Sequence, residues 1–458
     1  MATKKDLLEA QNFSRARLLS AFVGGAPGGK ELEPAKPLRA VFAGIALTAM
    51  VVLAGVFIGL MQPKLPGGWE NNRLIVASDT GARYVSVDGT LHPVINTVSA
   101  RMAIPAGEFD VVTVKQGALD GIPIGGTIGI LGAPDTLPEP ARLDGERWTA
   151  CATPEATQLQ IGGERPAAAA AGTGLVVTSE GETYVIAGGK SYLVPERDRT
   201  AVLRAIGLDG SSPREVRGEW LALFSPGDDL APLPGVRGGA VDEVGLPSGS
   251  VIRPTGGADD ERYLLTADGS LARLSDLAYR LYLLDGGSGK LGEEVEISPS
   301  QIGALDTAEA AGPASWPQQP LTGVAGSEAP CATLAGEAAD QRTVLAEPGA
   351  QLEPGAGETE TRSTSESASG TTTVNVTEDG GALVRSGREG LLTLVDTSGT
   401  AYAVPGDAAT GAKRLGYSTS DVAVVPATWV QLLPAGPALT AEAATASPSA
   451  GAGAESGS

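Results

Sequence analysis

Ala40–Met61 constrains this chain more than any other feature: AVFAGIALTAMVVLAGVFIGLM is 22 residues without a charge. A helix of that length reaches roughly 33 Å at about 1.5 Å per residue, enough to cross the hydrocarbon core of a bilayer. The run is long for the apolar part of a cleaved signal, and 39 residues precede it. The sequence therefore predicts a transmembrane helix over 40–61. Lys30, Lys36 and Arg39 flank its N-terminal side, whereas Lys64, Glu70 and Arg73 follow on the other. That asymmetry places residues 1–39 in the cytoplasm and the bulk of the chain outside the inner membrane.

Within the short tail, Thr3-x-x-Asp6 has the spacing of a capping box and predicts a helix to about Val23, closed by the glycines of 24–29. Residues 1–39 carry a net +3, so the remainder carries −24 of the overall −21. So acidic a bulk disfavours nucleic acid and anionic lipid surfaces as partners through general electrostatics. The chain has 63 Gly, 32 Pro and only 4% aromatics, a balance that favours short strands and turns over long helices. Its two cysteines, Cys151 and Cys331, both fall on the outer side. An even count in an oxidising compartment predicts a disulfide closing a loop of about 180 residues.

Four stretches share one pattern of apolar pair, turn and second short strand: LIVASDTGARYVSVDGTLHPV (74–94), LVVTSEGETYVIAGGKSYLVP (175–195), YLLTADGSLARLSDLAYRL (263–281) and LLTLVDTSGTAYAVPG (391–406). Each has the signals of a β-hairpin. In two of them a short helical segment and a Trp–Leu–Pro–Gly ending follow, with Trp220 and Trp429 at matching places. The predicted fold class is a single transmembrane helix plus an α+β, β-rich outer portion. Four β-hairpin/short-helix repeats (74–138, 174–233, 251–305, 385–440) would surround a central β domain assembled from separated segments (139–173, 234–250, 306–384). A polar disordered insertion is expected near 352–370, and a disordered tail over 441–458.

Catalytic chemistry finds little to build on. His92 is the single histidine, it sits beside Pro93, and no Gly-x-Ser-x-Gly elbow exists. Metal sites built on His or Cys need more of them than the chain has, so no metal is expected. A phosphate-binding loop needs Gly-x-x-x-x-Gly-Lys and a hydroxyl, between a strand and a helix. GGAPGGKE supplies Gly24, Gly29 and Lys30, but Glu31 replaces the hydroxyl. YVIAGGKS supplies Gly189, Lys190 and Ser191, but Tyr184 stands at the first Gly position; LDGGSGKL (284–291) lacks both.

Residues 1–34 (MATKKDLLEAQNFSRARLLSAFVGGAPGGKELEP), the span, and TGARYVSVDGTLHPVINTVSAR (80–101) together resemble EccB, a membrane component of type VII (ESX) secretion systems. GAPDTLP (132–138) and the WTAC around Cys151 fit the same family. The resemblance implies a structural subunit of the inner-membrane complex that works beside an EccC-type motor ATPase, EccD, EccE and a mycosin protease, with no cofactor. It implies an outer portion of four repeat domains around a central β-rich domain, dimerising within a larger ring-like assembly. Some family members carry an ATPase name. That alternative, a membrane-anchored nucleotide hydrolase using ATP with magnesium, would have to use Gly24, Gly29 and Lys30.

Overall fold

The computed structural model describes residues 4–24, 37–60, 65–153, 155–236, 238–285, 289–324, 328–350, 352, 362–367 and 370–448. It divides into two units, Met1–Lys64 and Leu65–Ser458. The first unit has two helices, Lys4–Gly24 and Pro37–Leu60. Pro37 suits a first helical position, where its missing N–H costs nothing. Within the second helix, Ala40–Phe57 is long and apolar enough to cross a membrane, and none of its window is buried against protein.

In the second unit four sheets share one strand order. Three antiparallel strands form a meander, a helix follows, and a fourth strand returns parallel to the first. In the first sheet these are Leu74–Ala77, Arg83–Val87, Thr90–Pro93, the helix Thr97–Ala103 and Val111–Val114. The second has Thr173–Ser179, Glu182–Ala187, Lys190–Val194, the helix Arg199–Ile206 and Arg214–Glu215. The third has Val251–Pro254, Tyr263–Leu265, Leu271–Arg273, the helix Asp276–Tyr282 and Glu294–Ile297. The fourth has Ala382–Ser386, Leu392–Val395, Ala401–Val404, the helix Ala408–Leu415 and Ala423–Val425. A one-turn helix comes next in each: Gln116–Leu119, Gly218–Leu221, Pro299–Ile302 and Ala427–Val430. The chain then runs parallel to the third strand of the meander, pairing Ile124 with Leu91, Ser225 with Lys190, Thr307 with Leu271 and Ala435 with Ala401.

The stretches 74–94 and 175–195 each hold three strands rather than one hairpin. Asp88-Gly89 (φ 47° and 74°) and Gly188-Gly189 (φ 57° and 79°) add a second tight turn of the mirror-image kind that matches strand twist. Stretches 263–281 and 391–406 instead begin at the second strand of their sheets. Their first strands, Val251–Pro254 and Ala382–Ser386, lie upstream of the stretches, beyond the loops 255–262 and 387–391.

Packing joins the sheets in pairs. Leu203 and Ile206 of the second helix share a core with Leu277, Leu281 and Tyr282 of the third. Val98 and Met102 of the first share one with Ala412 and Leu415 of the fourth. Polar latches reinforce both pairs, Trp316 Nε1 donating to the Asp229 carbonyl (3.0 Å) and the Tyr417 hydroxyl to the Pro138 carbonyl (2.7 Å), while the Tyr282 hydroxyl ties its helix to the Gly249 carbonyl (2.7 Å) ahead of the third sheet's first strand. Such bonds matter most for what their loss would leave buried and unpaired.

The remaining six-stranded sheet takes its strands from distant parts of the chain. Its order is Arg342–Leu345, Cys331–Ala335, Trp148–Ala152, Thr157–Ile161, Gly370–Val376 and Arg362–Ser367. The last two fall in or beside the stretch read as a disordered insertion near 352–370. The Thr and Val of Gly370–Val376 suit a pleated strand, and Val374 and Val376 are buried. Residues 353–361 and 368–369 of that stretch lie outside the described residues. Of the C-terminal tail, Ala441–Thr445 is a helix because the Thr440 side chain caps it and Ala444 packs into the core shared with Val98 and Met102. Residues 449–458 lie outside the described residues. The segment 234–250 supplies a small hairpin, Ala240–Val241 with Leu246–Pro247, and Val241 packs with Ile252, Leu265 and Leu271 of the third sheet. Thr322–Gly323 joins the start of Thr173–Ser179.

Candidate functional site

The convergence point of the second unit is the middle of the central sheet. Cys151 and Cys331 lie directly opposite each other on neighbouring antiparallel strands and form a disulfide, as their compartment predicted. Three tryptophans are fully buried in the core around this sheet: Trp148, Trp220 and Trp429. Each indole nitrogen is satisfied, as a buried one must be. Trp148 donates to the Asp144 carbonyl, Trp220 to the Ala150 carbonyl and Trp429 to Thr343 Oγ1, all at 2.8 Å. Trp148 and Trp429 meet edge to face, their centroids 6.4 Å apart.

Trp220 comes from the one-turn helix Gly218–Leu221 of the second sheet, and Trp429 from Ala427–Val430 of the fourth. Both are the third residue of their turn and lie 21 positions after the start of the preceding helix. The corresponding turns of the first and third sheets carry Ala118 and Gln301 at that place, neither of them an anchor. Two sheets thus plug an aromatic side chain into the disulfide-bearing sheet, one bonded to the Trp148 strand and one to the Thr343 strand. The contact is tight: a Cβ on Gly145 would fall on that of Ala423. Gln341 Nε2 donates to the Gly145 carbonyl (2.6 Å) and the Val424 carbonyl (3.3 Å) across the same junction.

The residues considered for chemistry are scattered. His92 Nδ1 is 3.1 Å from the Gly126 carbonyl, and the ring covers Gly125, where an added Cβ would lie 2.5 Å from it. It tethers 124–128 to the first sheet, and no carboxylate orients it among the described residues. Lys190 and Ser191 open a strand straight after the Gly188-Gly189 turn, so this glycine pair joins strand to strand and leads to no helix N-terminus. Gly189 is needed there for a different reason: a Cβ would lie 2.6 Å from the Thr343 carbonyl oxygen. Lys290 sits in the short turn Gly289–Gly292. Gly24 ends the first helix, whereas Gly29 and Lys30 lie outside the described residues. No group of three or more His, Cys, Asp or Glu that could hold a metal ion occurs among the described residues.

Charged groups in the second unit serve as ties. Asp135 accepts from Arg83 and from the Thr97 N–H (3.1 Å), and the Arg83 bond holds its carboxyl below the ordinary range. Arg262 bridges Glu294 (2.6 Å) and Asp276, linking the fourth strand of the third sheet to its helix. Asp396 caps its own loop, accepting from the N–H groups of Ser398 (2.9 Å) and Thr400 (3.0 Å) and from the Tyr402 hydroxyl (3.2 Å). Burial, with Asp396 beside it, pushes the Tyr402 phenol up to about 12, and burial does the same to Tyr417. The sequence signal for the anchors was present in the matching tryptophans. Their insertion into the central sheet was not, because nothing local marks which surface an indole will enter.

Compared with known proteins, residues 1–450 match the family model described as type VII secretion system ESX-1, transport TM domain B. An ESX-2 secretion system ATPase EccB2 of Mycobacterium tuberculosis is 33% identical over 253 residues, 50% of this chain and 49% of that protein. The chain thus spans about half the length of that curated relative. An ESX-1 secretion system ATPase EccB1 of Mycobacterium tuberculosis is 26% identical over 436 residues, covering 89% of this chain and 86% of the relative. Among solved structures, an EccB3 dimer from the ESX-3 core complex superposes with a TM-score of 0.61 at 24% identity, over 81% of this chain and 99% of that one. A chain of the intact ESX-5 inner membrane complex gives 0.60 at 20% identity, over 100% and 98%. At these identities the structures show a shared fold.

Proposed function

The chain belongs to the type VII secretion EccB family, and on that premise we propose that it is a single-span scaffold subunit of an ESX-type inner membrane complex. In this reading the Ala40–Phe57 helix anchors the chain, residues 1–39 face the cytoplasm, and the acidic second unit stands outside as part of a self-associating assembly. The four like-ordered sheets act as repeat domains around the central sheet. The hairpin at 240–247 is counted with the third of them, because its Val241 enters that core. An EccC-type motor, EccD, EccE and a mycosin protease are the expected neighbours, and the solved relatives come from an ESX-5 inner membrane complex and an EccB3 dimer.

The observation that carries the proposal is the double plug. Trp220 and Trp429 lock the second and fourth sheets to a disulfide-tied sheet, and their helices carry the third and first. Such a body suits load-bearing and contact-making, since each sheet is held at fixed geometry by fully buried side chains. The rival reading, a nucleotide hydrolase, draws on the ATPase names of the relatives. It would require Gly24, Gly29 and Lys30 or the Gly189-Lys190-Ser191 turn to cradle a phosphate.

Affinity purification of the tagged chain from detergent-solubilised membranes, with mass spectrometry and native sizing, tests the scaffold. Recovery of a multi-ATPase-domain motor and a multi-span partner in one large particle is the expected result. A small homo-oligomer without partners would overturn it. Magnesium-dependent hydrolysis lost on both Lys30→Ala and Lys190→Ala would favour the rival.

A further inference from the structure

One basic cluster stands out in an otherwise acidic second unit. Arg101 is the basic residue in the last turn of the helix Thr97–Ala103, and Lys413 and Arg414 lie in the last turn of the helix Ala408–Leu415 that packs beside it. None of the three pairs with a carboxylate among the described residues. Several other partly buried arginines do: Arg73 with Asp110, Arg83 with Asp135, Arg253 with Glu294, and Arg262 with Glu294 and Asp276.

The three cations differ in what they have left to give. Arg414 Nη1 is committed to carbonyls at the end of the first helix, Met102 at 2.5 Å and Ile104 at 3.4 Å. The Arg101 guanidinium lies over the Phe109 ring, 4.3 Å from its centroid, and against Gly416, where any Cβ would collide with it. Its Nε is buried with no hydrogen-bond partner. Lys413 runs across to Gly107, where a Cβ would lie 2.9 Å from its Cε and 3.0 Å from its Nζ. Gly107 and Gly416 are both exposed, so each cation lies against open backbone, and the exposed Glu108 between Gly107 and Phe109 has its carboxylate engaged by the Asn72 amide (2.6 Å). A partly buried guanidinium without an acceptor is costly, and burial depresses its proton affinity despite the nearby Tyr417.

We propose that Arg101 and Lys413, at the rim formed by 107–109 and 413–416, bind a phosphate-class oxyanion. Two cations without a carboxylate partner match the charge of roughly −1.5 to −2 and the three acceptor oxygens of a phosphate monoester better than a single carboxylate. Arg101 supplies a planar fork held flat by Phe109, and Lys413 a mobile point charge. Arg414, fixed behind them, adds to the local positive potential without contacting the ligand. Inorganic phosphate and the phosphomonoester headgroup of a lipid present the same chemistry.

The test is titration calorimetry of the detergent-purified full chain with inorganic phosphate at fixed ionic strength. A second arm uses a soluble short-chain phosphatidic acid. Saturable binding is expected, weakened about tenfold or more by Lys413→Gln and by Arg101→Gln, as befits loss of a hydrogen bond to a charged group. Lys413 is exposed, so its variant tests the site even if the Arg101 variant folds poorly. Arg342→Gln, on an exposed strand residue of the central sheet, should leave binding unchanged. Tighter binding of the lipid points to a headgroup, and equal binding to free phosphate. No saturable binding of either probe, or equal binding by the wild type and the Lys413 variant, overturns the site.

Discussion

Single side chains carry much of the order in the second unit. Trp220 is fully buried and donates to a backbone carbonyl of a sheet other than its own. Replacing it with Ala removes a large apolar volume and the indole's hydrogen bond to the Ala150 carbonyl. The expected loss is about 3–5 kcal/mol, read as a lower urea midpoint of the full chain. An equal midpoint would mean that the second sheet does not depend on this contact. Gly145→Ala acts at the same junction by overpacking against Ala423, with a loss of about 1–3 kcal/mol in the same assay. Tyr402 and Tyr417 give a pH signature. Both phenols are raised to about 12 in the folded chain, above the ordinary value of 10.0. The unfolded chain therefore releases these protons first as pH rises, so their stabilisation is complete below pH 10 and disappears between 10 and about 12. Melting temperature should fall across that window in the wild type and less steeply in Tyr402→Phe, and identical slopes would refute the assignment.

Among the elements, what could be read from sequence tracked how local the signal was. The long apolar helix Pro37–Leu60 was legible because an uncharged run of that length has few alternatives. The turn at Glu180-Gly181 was legible because a residue with positive φ beside Gly is a local requirement, whereas the second turn of the first meander, Asp88-Gly89, stays hidden in a stretch that reads as one hairpin. The parallel strands Val111–Val114, Arg214–Glu215, Glu294–Ile297 and Ala423–Val425 were not, because their partners lie tens of residues upstream and two-to-four-residue strands have no periodicity to detect. Helix ends belong to the legible class. Gly207 closes the helix Arg199–Ile206 with φ 90°, and a Cβ there would lie 2.7 Å from the Leu321 carbonyl oxygen. Gly207→Ala should cost about 1–2 kcal/mol through the left-handed backbone alone. Gly210→Ala, with nothing near its would-be Cβ, is the control. Equal melting temperatures for the two variants would sink this account of the cap.

For the whole molecule, the disulfide predicted from two cysteines proved to bridge adjacent strands drawn from opposite sides of two intervening sheets. Changing both cysteines to Ser should lower stability by roughly 2–5 kcal/mol, with the mechanism dominated by the freedom returned to the unfolded chain. The check is the urea midpoint of the double variant beside that of wild type with and without reductant; a reductant-insensitive wild type matching the variant would contradict it. The same arrangement sets a schedule for biogenesis. Strands Trp148–Ala152 and Thr157–Ile161 are synthesised first and must wait for Cys331–Ala335, which follows the whole of the second and third sheets. At about 5–20 residues per second, that delay is on the order of 10–30 s. Throughout it, an apolar ribbon and a lone thiol stand without their partners, so a nascent chain at this stage is a natural client for a holding chaperone. Closure of the bridge then works as a timestamp: the Cys331 thiolate displaces a disulfide oxidoreductase held at Cys151 as a mixed disulfide and releases it as the reduced thiol, so a trapped mixed disulfide at Cys151 would mark chains whose second half had not yet arrived.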